Sequence, residues 1–252
     1  MWEPDHYLRF ADHRTRPGLE LAARIPDIEA KTIVDLGSGT GHLTALLAQR
    51  WPRAHLTGVD GAAAMVERAR ADHPSIEWVA ADLSQWEPEG LLDVVYSNAA
   101  LHWLDHHESL FTRIRSWLAP GGVLAVQMPD NWAAPTHQIP AQVLDDGSWP
   151  EPARLGLMRD RLAPPTDYAR WLAPATVDLW RTTYYQPLSG HDAVWNWVTG
   201  SLLIPVIDAL SPDARDRFAA EVQARYRRTY PADANGVTTM AFSRLFIVAT
   251  ID

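Results

Sequence analysis

Between residues 31 and 128 the apolar positions follow two alternating rhythms. Short apolar, β-branched runs predict strands at Thr32–Leu36, His55–Val59, Ile76–Ala80, Asp93–Asn98 and Val123–Gln127. Apolar residues three and four apart predict helices at Thr40–Arg50, Ala62–Asp72 and Glu108–Leu118. Strand and helix in strict alternation argue for βαβ units and an α/β fold on a parallel sheet. Ahead of this core, residues 1–30 read as a helical segment, with Tyr7, Leu8, Phe10 and Ala11 on one face and Leu19, Leu21, Ala22 and Ile25 resuming the period. After residue 128 the rhythm breaks. Prolines recur at 135, 140, 150, 152, 164, 165 and 174 across a stretch, 129–174, that is too long for a connecting loop and reads as a cap or lid. A strand returns at 175–187, a helical and aromatic insertion occupies 188–236, and a closing strand covers 242–250. The expected organisation is one domain over 1–252, with a core at 31–128 roofed by two insertions.

Composition narrows the chemistry. The chain is 47% hydrophobic, enough for one sizeable core, and has no cysteine, which removes disulfides, thiolate chemistry and cysteine-based zinc sites. Ten histidines remain without metal-ligand spacing. His102, His106 and His107 read as a polar loop and helix start, so no metal is expected. The formal net charge is −9 with no block of basic residues, which disfavours nucleic acid or a membrane surface as partner. The first residues carry neither a basic nor an apolar signal region, and no apolar run approaches ~20 residues, so a cytoplasmic protein is expected. Lys31 is the one lysine, and the remaining positive charge sits on arginines, whose planar forks suit carboxylates.

The candidate site begins at Thr32–Gly41, where a strand runs into three alternating glycines, Gly37, Gly39 and Gly41, with Ser38 between the first two. Such a turn brings backbone N–H groups and the start of a helix against a ligand. The dinucleotide fingerprint G-x-G-x-x-G fails, because its last position falls on His42. Acids stand instead at three strand ends: Asp35 before the glycines, Asp60 (followed by Gly61) after the second strand, and Asp82 after the third. Asp60 is placed to accept both hydroxyls of a ribose. The carboxyl ends of parallel strands are where open α/β sheets bind ligands.

With these residues the chain resembles the class I S-adenosylmethionine-dependent methyltransferases. A sulfonium with ribose and adenine but no pyrophosphate suits a rim of carboxylates. The resemblance implies a Rossmann-like sheet of seven mostly parallel strands, with strand 7 antiparallel between strands 5 and 6. It also implies a largely helical cap from insertions after strands 5 and 6, and S-adenosyl-L-methionine as cofactor, leaving as S-adenosyl-L-homocysteine. In that reading Asp82 and the backbone of Leu83 take the adenine. Asp35 either orients the glycine turn or meets the cofactor's ammonium through water, and Asn98 either caps the next helix or offers its backbone to that ammonium. Arg14 either pairs with the cofactor's carboxylate or is a solvated surface arginine.

Further stretches are similar to the trans-aconitate 2-methyltransferases: Tyr7–Ala11 with Arg14–Pro17, Val126–Trp132, Trp180–Tyr185 and Arg244–Ala249. That family resemblance implies esterification of one carboxylate of a small tricarboxylate to a monomethyl ester. A carboxylate of ordinary pKa, about 4, is already ionised at neutral pH, so no catalytic base is expected and positioning carries the reaction. The substrate candidates are Arg181 and Arg244, with His102, Asn131, Trp132, Tyr184 and Tyr185 as neutral donors. Alternation along the strand puts Arg181, Thr183 and Tyr185 on one face and Trp180, Thr182 and Tyr184 on the other, and one set alone can meet a substrate. An ion pair with Asp178 or Asp130 is the structural alternative for Arg181. The arginines are expected to grip the two carboxylates that do not react. The competing readings are a methyltransferase for another small acid or metabolite, an NAD(P)-dependent oxidoreductase, and a non-catalytic S-adenosylmethionine-binding module. His42 and Asp82 argue against the second. The expected partner is a small molecule, and the expected state a monomer.

Overall fold

The computed structural model describes residues 15–147, 149–151, 153, 162–200 and 202–251. Arg14 and the apolar face at 7–11 lie outside them. The described residues group into two compact units, one holding residues up to Pro129, Leu162–Thr182 and Arg244 onward, the other Asp130 to Arg161 and Thr183–Ser243.

The first unit is built on β1 (Thr32–Leu36), β2 (His55–Asp60), β3 (Glu77–Ala80), β4 (Leu92–Asn98) and β5 (Leu118–Pro129). Two long strands, β6 (Thr176–Ser189) and β7 (Val237–Thr250), begin in one unit and end in the other. The sheet has seven strands in the order β3-β2-β1-β4-β5-β7-β6. The pairs β1–β2, β1–β4, β2–β3 and β4–β5 are parallel, and β5–β7 is antiparallel. This is the expected mostly parallel sheet, with β7 inserted between β5 and β6. Strand order reverses between β1 and β4, so the carboxyl ends of these two strands flank the crevice where such sheets take ligands.

One face of the sheet (Val34, Leu36, Val95, Leu124, Val126, Leu245 and Ile247) packs on Phe111, Ile114 and Trp117, with Tyr168 and Leu172 joining them. Phe111 and Ile114 belong to α4 (His107–Ser116), Tyr168 and Leu172 to α6 (Pro165–Leu172). Truncating a fully buried ring such as Phe111 to alanine costs about 3–5 kcal/mol. So α6, though it falls in the proline-rich stretch, belongs to the first unit.

On the opposite face lies α1 (Arg16–Arg24), which starts with Pro17 in its first turn and buries Leu19, Leu21 and Ala22. Tyr96 on β4 donates 2.8 Å to the Gly18 carbonyl, tying α1 to the sheet. Two further helices, α2 (His42–Arg50) and α3 (Ala63–Asp72), fill the βα connections. Arg50 at the end of α2 donates to the carbonyls of Ala22 and Ile25, where α1 stops.

Element edges moved where pairing overrides helical spacing. The fourth helix ends at Ser116 instead of Leu118, because Leu118 pairs with Leu92 and opens β5. The turn Ala119–Gly122 then sits inside the β4–β5 ladder as a register shift between Leu92 and Val94.

The second unit is helical, with α5 (Pro135–Asp146), α7 (Ala193–Thr199), α8 (Ile204–Asp208) and α9 (Pro212–Thr229). It has a core of its own: Ile139, Val143, Leu144, Val194, Val198, Val206, Phe218, Val222, Tyr226 and Met240. Tyr226 donates 2.6 Å to the Thr136 carbonyl, and Trp149 lies edge-on to Phe218 at 5.6 Å while its Nε1 donates 2.7 Å to Val143.

Candidate active site

The glycine turn leaves β1 as a nest of left-handed residues, with φ of 78° at Gly37, 55° at Gly39 and 79° at Gly41. Two of these positions exclude a side chain for different reasons. A Cβ on Gly37 would stand 2.0 Å from the Ala100 methyl group, so the turn after β1 and the turn after β4 touch through this glycine. A Cβ on Gly39 would meet nothing within 4 Å, so that backbone faces open space. Gly41 precedes α2 directly and lies against the Trp78 ring.

Asp60 closes β2 and is held by main chain on both sides. Its Oδ2 accepts 2.8 Å from the Gly39 N–H and its Oδ1 accepts 2.8 Å from the Ala62 N–H. Each oxygen keeps a lone pair for an outside donor, the arrangement that a pair of ribose hydroxyls requires. Gly61 follows, with an added Cβ 3.8 Å from the Ala81 carbonyl.

Asp35 is 2% exposed and accepts 2.6 Å from the Thr44 hydroxyl in the first turn of α2. It therefore fixes the helix that follows the turn. Burial pushes its pKa up to about 7, the Thr44 hydrogen bond works against that rise, and the charge of Asp60 adds to it. Asp82 is exposed and folds its Oδ1 back onto the Ser84 N–H at 2.8 Å, which holds its carboxyl below the usual range. The Leu83 and Ser84 carbonyls are gripped by Arg113, so this loop is fixed from α4.

At the end of β4, Asn98 stands in register with Gln127 of β5, and Ala99 takes a left-handed φ of 56° while donating 2.9 Å to the Gln127 carbonyl. A non-glycine residue held there is strained backbone, which no sequence pattern disclosed. Three buried polar atoms at these strand ends have no hydrogen-bond partner among the described residues: Ser38 Oγ, Asn98 Oδ1 and Gln127 Nε2. Buried polar groups are nearly always paired, so their gathering at the carboxyl ends of β1, β4 and β5 marks a place for a polar ligand.

The substrate candidates divide. Arg244 is 5% exposed and its Nη1 donates 2.9 Å to Gln127 Oε1. The contact follows from register, since Arg244 pairs with Pro129, which shares a strand face with Gln127. His102 lies half-buried in a 3-10 turn, Leu101–Trp103, with its ring 4.8 Å from that of Trp103. On β6 the exposed face carries Arg181 and Tyr185 (71% exposed), while Tyr184 is buried, so the two expected sets are separated as alternation requires. In the second unit Asn131 uses both ends of its amide on Ser243, donating 3.0 Å to the carbonyl and accepting 2.8 Å from the N–H. The Trp132 ring lies edge-on to His137 at 5.2 Å, and burial pushes the His137 pKa down to about 4. Sequence reasoning missed Gln186, which is fully buried with neither amide atom partnered among the described residues. Its signal was present, two residues on from Tyr184 on the same face. Among the described residues no group of three or more His, Asp and Glu could hold a metal ion, and no helix is long and apolar enough to cross a membrane.

Residues 33–122, which hold every cofactor candidate from Asp35 to Asn98, match the family model of a methyltransferase domain. Among solved structures, the YcgJ protein of Bacillus subtilis superposes with a TM-score of 0.57 at 13% identity, covering 93% of this chain and 97% of that one. A phosphoethanolamine N-methyltransferase of Haemonchus contortus gives 0.54 at 14%, covering 99% and 57%. These likenesses establish the Rossmann-like fold of class I methyltransferases. The sequence goes further. It is 43% identical over 250 residues to the trans-aconitate 2-methyltransferase of Escherichia coli O17:K52:H18, covering 98% of this chain and 97% of that enzyme. The match extends through both units and far beyond the 33–122 cofactor segment, and on that ground the chain belongs to the trans-aconitate 2-methyltransferase family.

Proposed function

We propose that the protein transfers a methyl group from S-adenosylmethionine to a carboxylate of trans-aconitate, giving a monomethyl ester and S-adenosylhomocysteine. The observation that carries this reading is the 43% identity that spans both units, including the segments around Asn131, Tyr184 and Arg244. The rim described above fits the cofactor: Asp60 has free lone pairs where ribose hydroxyls would sit, the Gly39 backbone is open, and Ser38 Oγ and Asn98 Oδ1 await polar partners. When bound, the cofactor supplies a methyl group on a positively charged sulfur, which a carboxylate oxygen accepts directly.

The chain's own part is then binding and alignment. Asp60 takes the ribose, Asp82 with Leu83 the adenine, and Gly37, Ser38, Gly39, Gly41, Gly61 and Asn98 form the walls. Asp35 orients the turn through Thr44 and offsets the positive end of the cofactor. No residue has to remove a proton, because the acceptor is ionised at neutral pH. Holding the oxygen in line with the methyl group can supply about 7–11 kcal/mol of the barrier. Arg244 is the acceptor's anchor in the first unit and binds a carboxylate that does not react, since a cation on the reacting oxygen would weaken its attack. Under this reading His102 and Arg181 in that unit are acceptor contacts, and Arg14 is the partner of the cofactor's carboxylate. The same reading makes the protein a cytoplasmic monomer acting on a free tricarboxylate.

The test is S-adenosylhomocysteine release with trans-aconitate, cis-aconitate, citrate and isocitrate supplied separately. Preference for trans-aconitate with a base-labile monomethyl ester as product supports the reading. Turnover of none of the four removes the acceptor assignment.

A further inference from the structure

Gln127 is wholly buried at the carboxyl end of β5, and its side chain is doing two different things. Its Oε1 accepts 2.9 Å from Arg244 Nη1. A guanidinium has donors only, so this bond fixes which way the amide faces, with its oxygen on Arg244 and its NH2 turned away. That NH2 has no partner among the described residues. Asn98 stands across from Gln127 in the β4–β5 ladder, and its Oδ1 likewise has no partner among the described residues.

The choice of residue is informative. A glutamate at 127 would pair with Arg244 more strongly but would cancel its charge, and an apolar side chain would fill the space without burying an unmet donor. Glutamine orients the guanidinium without placing a negative charge on it, and sets a second, neutral donor beside it. Two donors side by side call for an acceptor with two oxygens.

We propose that Gln127 is a specificity-determining residue: it orients Arg244 through Oε1 and donates from Nε2 to the same acceptor carboxylate that Arg244 binds. This rests on the assignment of Arg244 as the acceptor's anchor. The pair recognises a carboxylate against an isosteric amide, which brings one oxygen and an NH2 that faces donors.

The experiment compares Gln127→Met, Gln127→Glu, Arg244→Leu and the Gln127→Met/Arg244→Leu double variant. KM for trans-aconitate is read by S-adenosylhomocysteine release, S-adenosylhomocysteine Kd by calorimetry, and folding by circular dichroism. Gln127→Met keeps length and volume, so it preserves packing. The expected result is a KM raised about tenfold in Gln127→Met and further in Gln127→Glu, an unchanged Kd, and a double variant worse than Arg244→Leu alone by less than the tenfold of Gln127→Met. A purely structural glutamine would move melting temperature and leave KM alone, which overturns the inference. Losses that multiply in the double variant overturn it too, as does a shift in Kd without a shift in KM, which would give the pair to the cofactor's carboxylate. If Arg244→Leu itself keeps a wild-type KM, the parent assignment fails. If Arg244→Leu raises KM and the Gln127 variants do not, the role of Gln127 alone is rejected.

Discussion

The carboxyl edge of the sheet is made in two ways. At β1 and β2 it is made of backbone: glycines in left-handed conformation, and a carboxylate, Asp60, pinned by the N–H groups of Gly39 and Ala62. At β5 and β7 it is made of side chains: a buried arginine oriented by a buried glutamine 117 positions away in sequence. The backbone-made half lies within the segment shared with methyltransferase domains in general, and the side-chain-made half lies at residues 127 and 244, outside it. A main-chain cradle can be reused for one cofactor across many acceptors. Under the proposed reading, residues 127 and 244 tell acceptors apart and can change without disturbing it.

Gly37→Ala strikes the backbone-made half hardest. A methyl group there meets Ala100 at 2.0 Å in a conformation alanine resists, and the combined strain and overpacking cost about 3 kcal/mol or more. A melting temperature lower by ~6–12 °C, with weakened S-adenosylhomocysteine binding, is the expected outcome. A wild-type melt would show that the contact between the β1 and β4 turns is slack. Asp60→Ala comes next. Removing two hydrogen bonds from a charged acceptor should weaken S-adenosylhomocysteine about 100-fold by calorimetry while KM for trans-aconitate barely moves. Unchanged affinity would take Asp60 off the ribose.

The pH response of Asp35 is smaller. Its folded pKa of about 7 lies above the reference value of 3.8, so the folded protein holds a proton that the unfolded chain has released. The stability this group contributes is complete below about 4 and is lost as pH rises through about 7. His137, pushed down to about 4, works oppositely: its contribution is complete above about 6.5 and is lost as pH falls through about 4. Denaturant titrations of wild type and Asp35→Asn at pH 5 and pH 8 separate the two, because only the Asp35 share differs between them. The wild-type advantage over Asp35→Asn should be larger at pH 5. A cationic ligand favours the ionised carboxyl, so S-adenosylmethionine, with its sulfonium, should bind up to about tenfold tighter as pH rises from 6 to 8, and Asp35→Asn should flatten that slope. A slope that persists in the variant assigns it elsewhere. Smallest of all is Tyr185→Ala: at 71% exposure the expected stability change stays within about 0.5 kcal/mol, and a tenfold rise in KM would make Tyr185 an acceptor contact.

The same division explains what could be read without coordinates. Strand, glycine turn and acid follow one another in sequence, so Asp35, Gly37 and Asp60 could be placed at strand ends from spacing, and β1 was placed to the residue. The reversal of β7 between β5 and β6 came from family resemblance, because periodicity does not encode strand order. Periodicity gave alternation on β6 but not its sense: burial of Tyr184 and Gln186 and exposure of Arg181 and Tyr185 depend on what covers the strand. Asn131 reads as an acceptor donor in sequence, and its tie to Ser243, 112 positions on, needed the fold to become visible. Gln127 stood out as a strand-end residue, yet its tie to Arg244 needed the β5–β7 register to become visible.

The most direct test of the division between the halves is one variant measured twice, Arg244→Leu, for S-adenosylhomocysteine Kd and for trans-aconitate KM. The account predicts an unchanged Kd with KM raised about 10- to 100-fold, the loss of a charge-assisted contact to one carboxylate. A weakened Kd with an unchanged KM would put Arg244 on the cofactor and contradict the account.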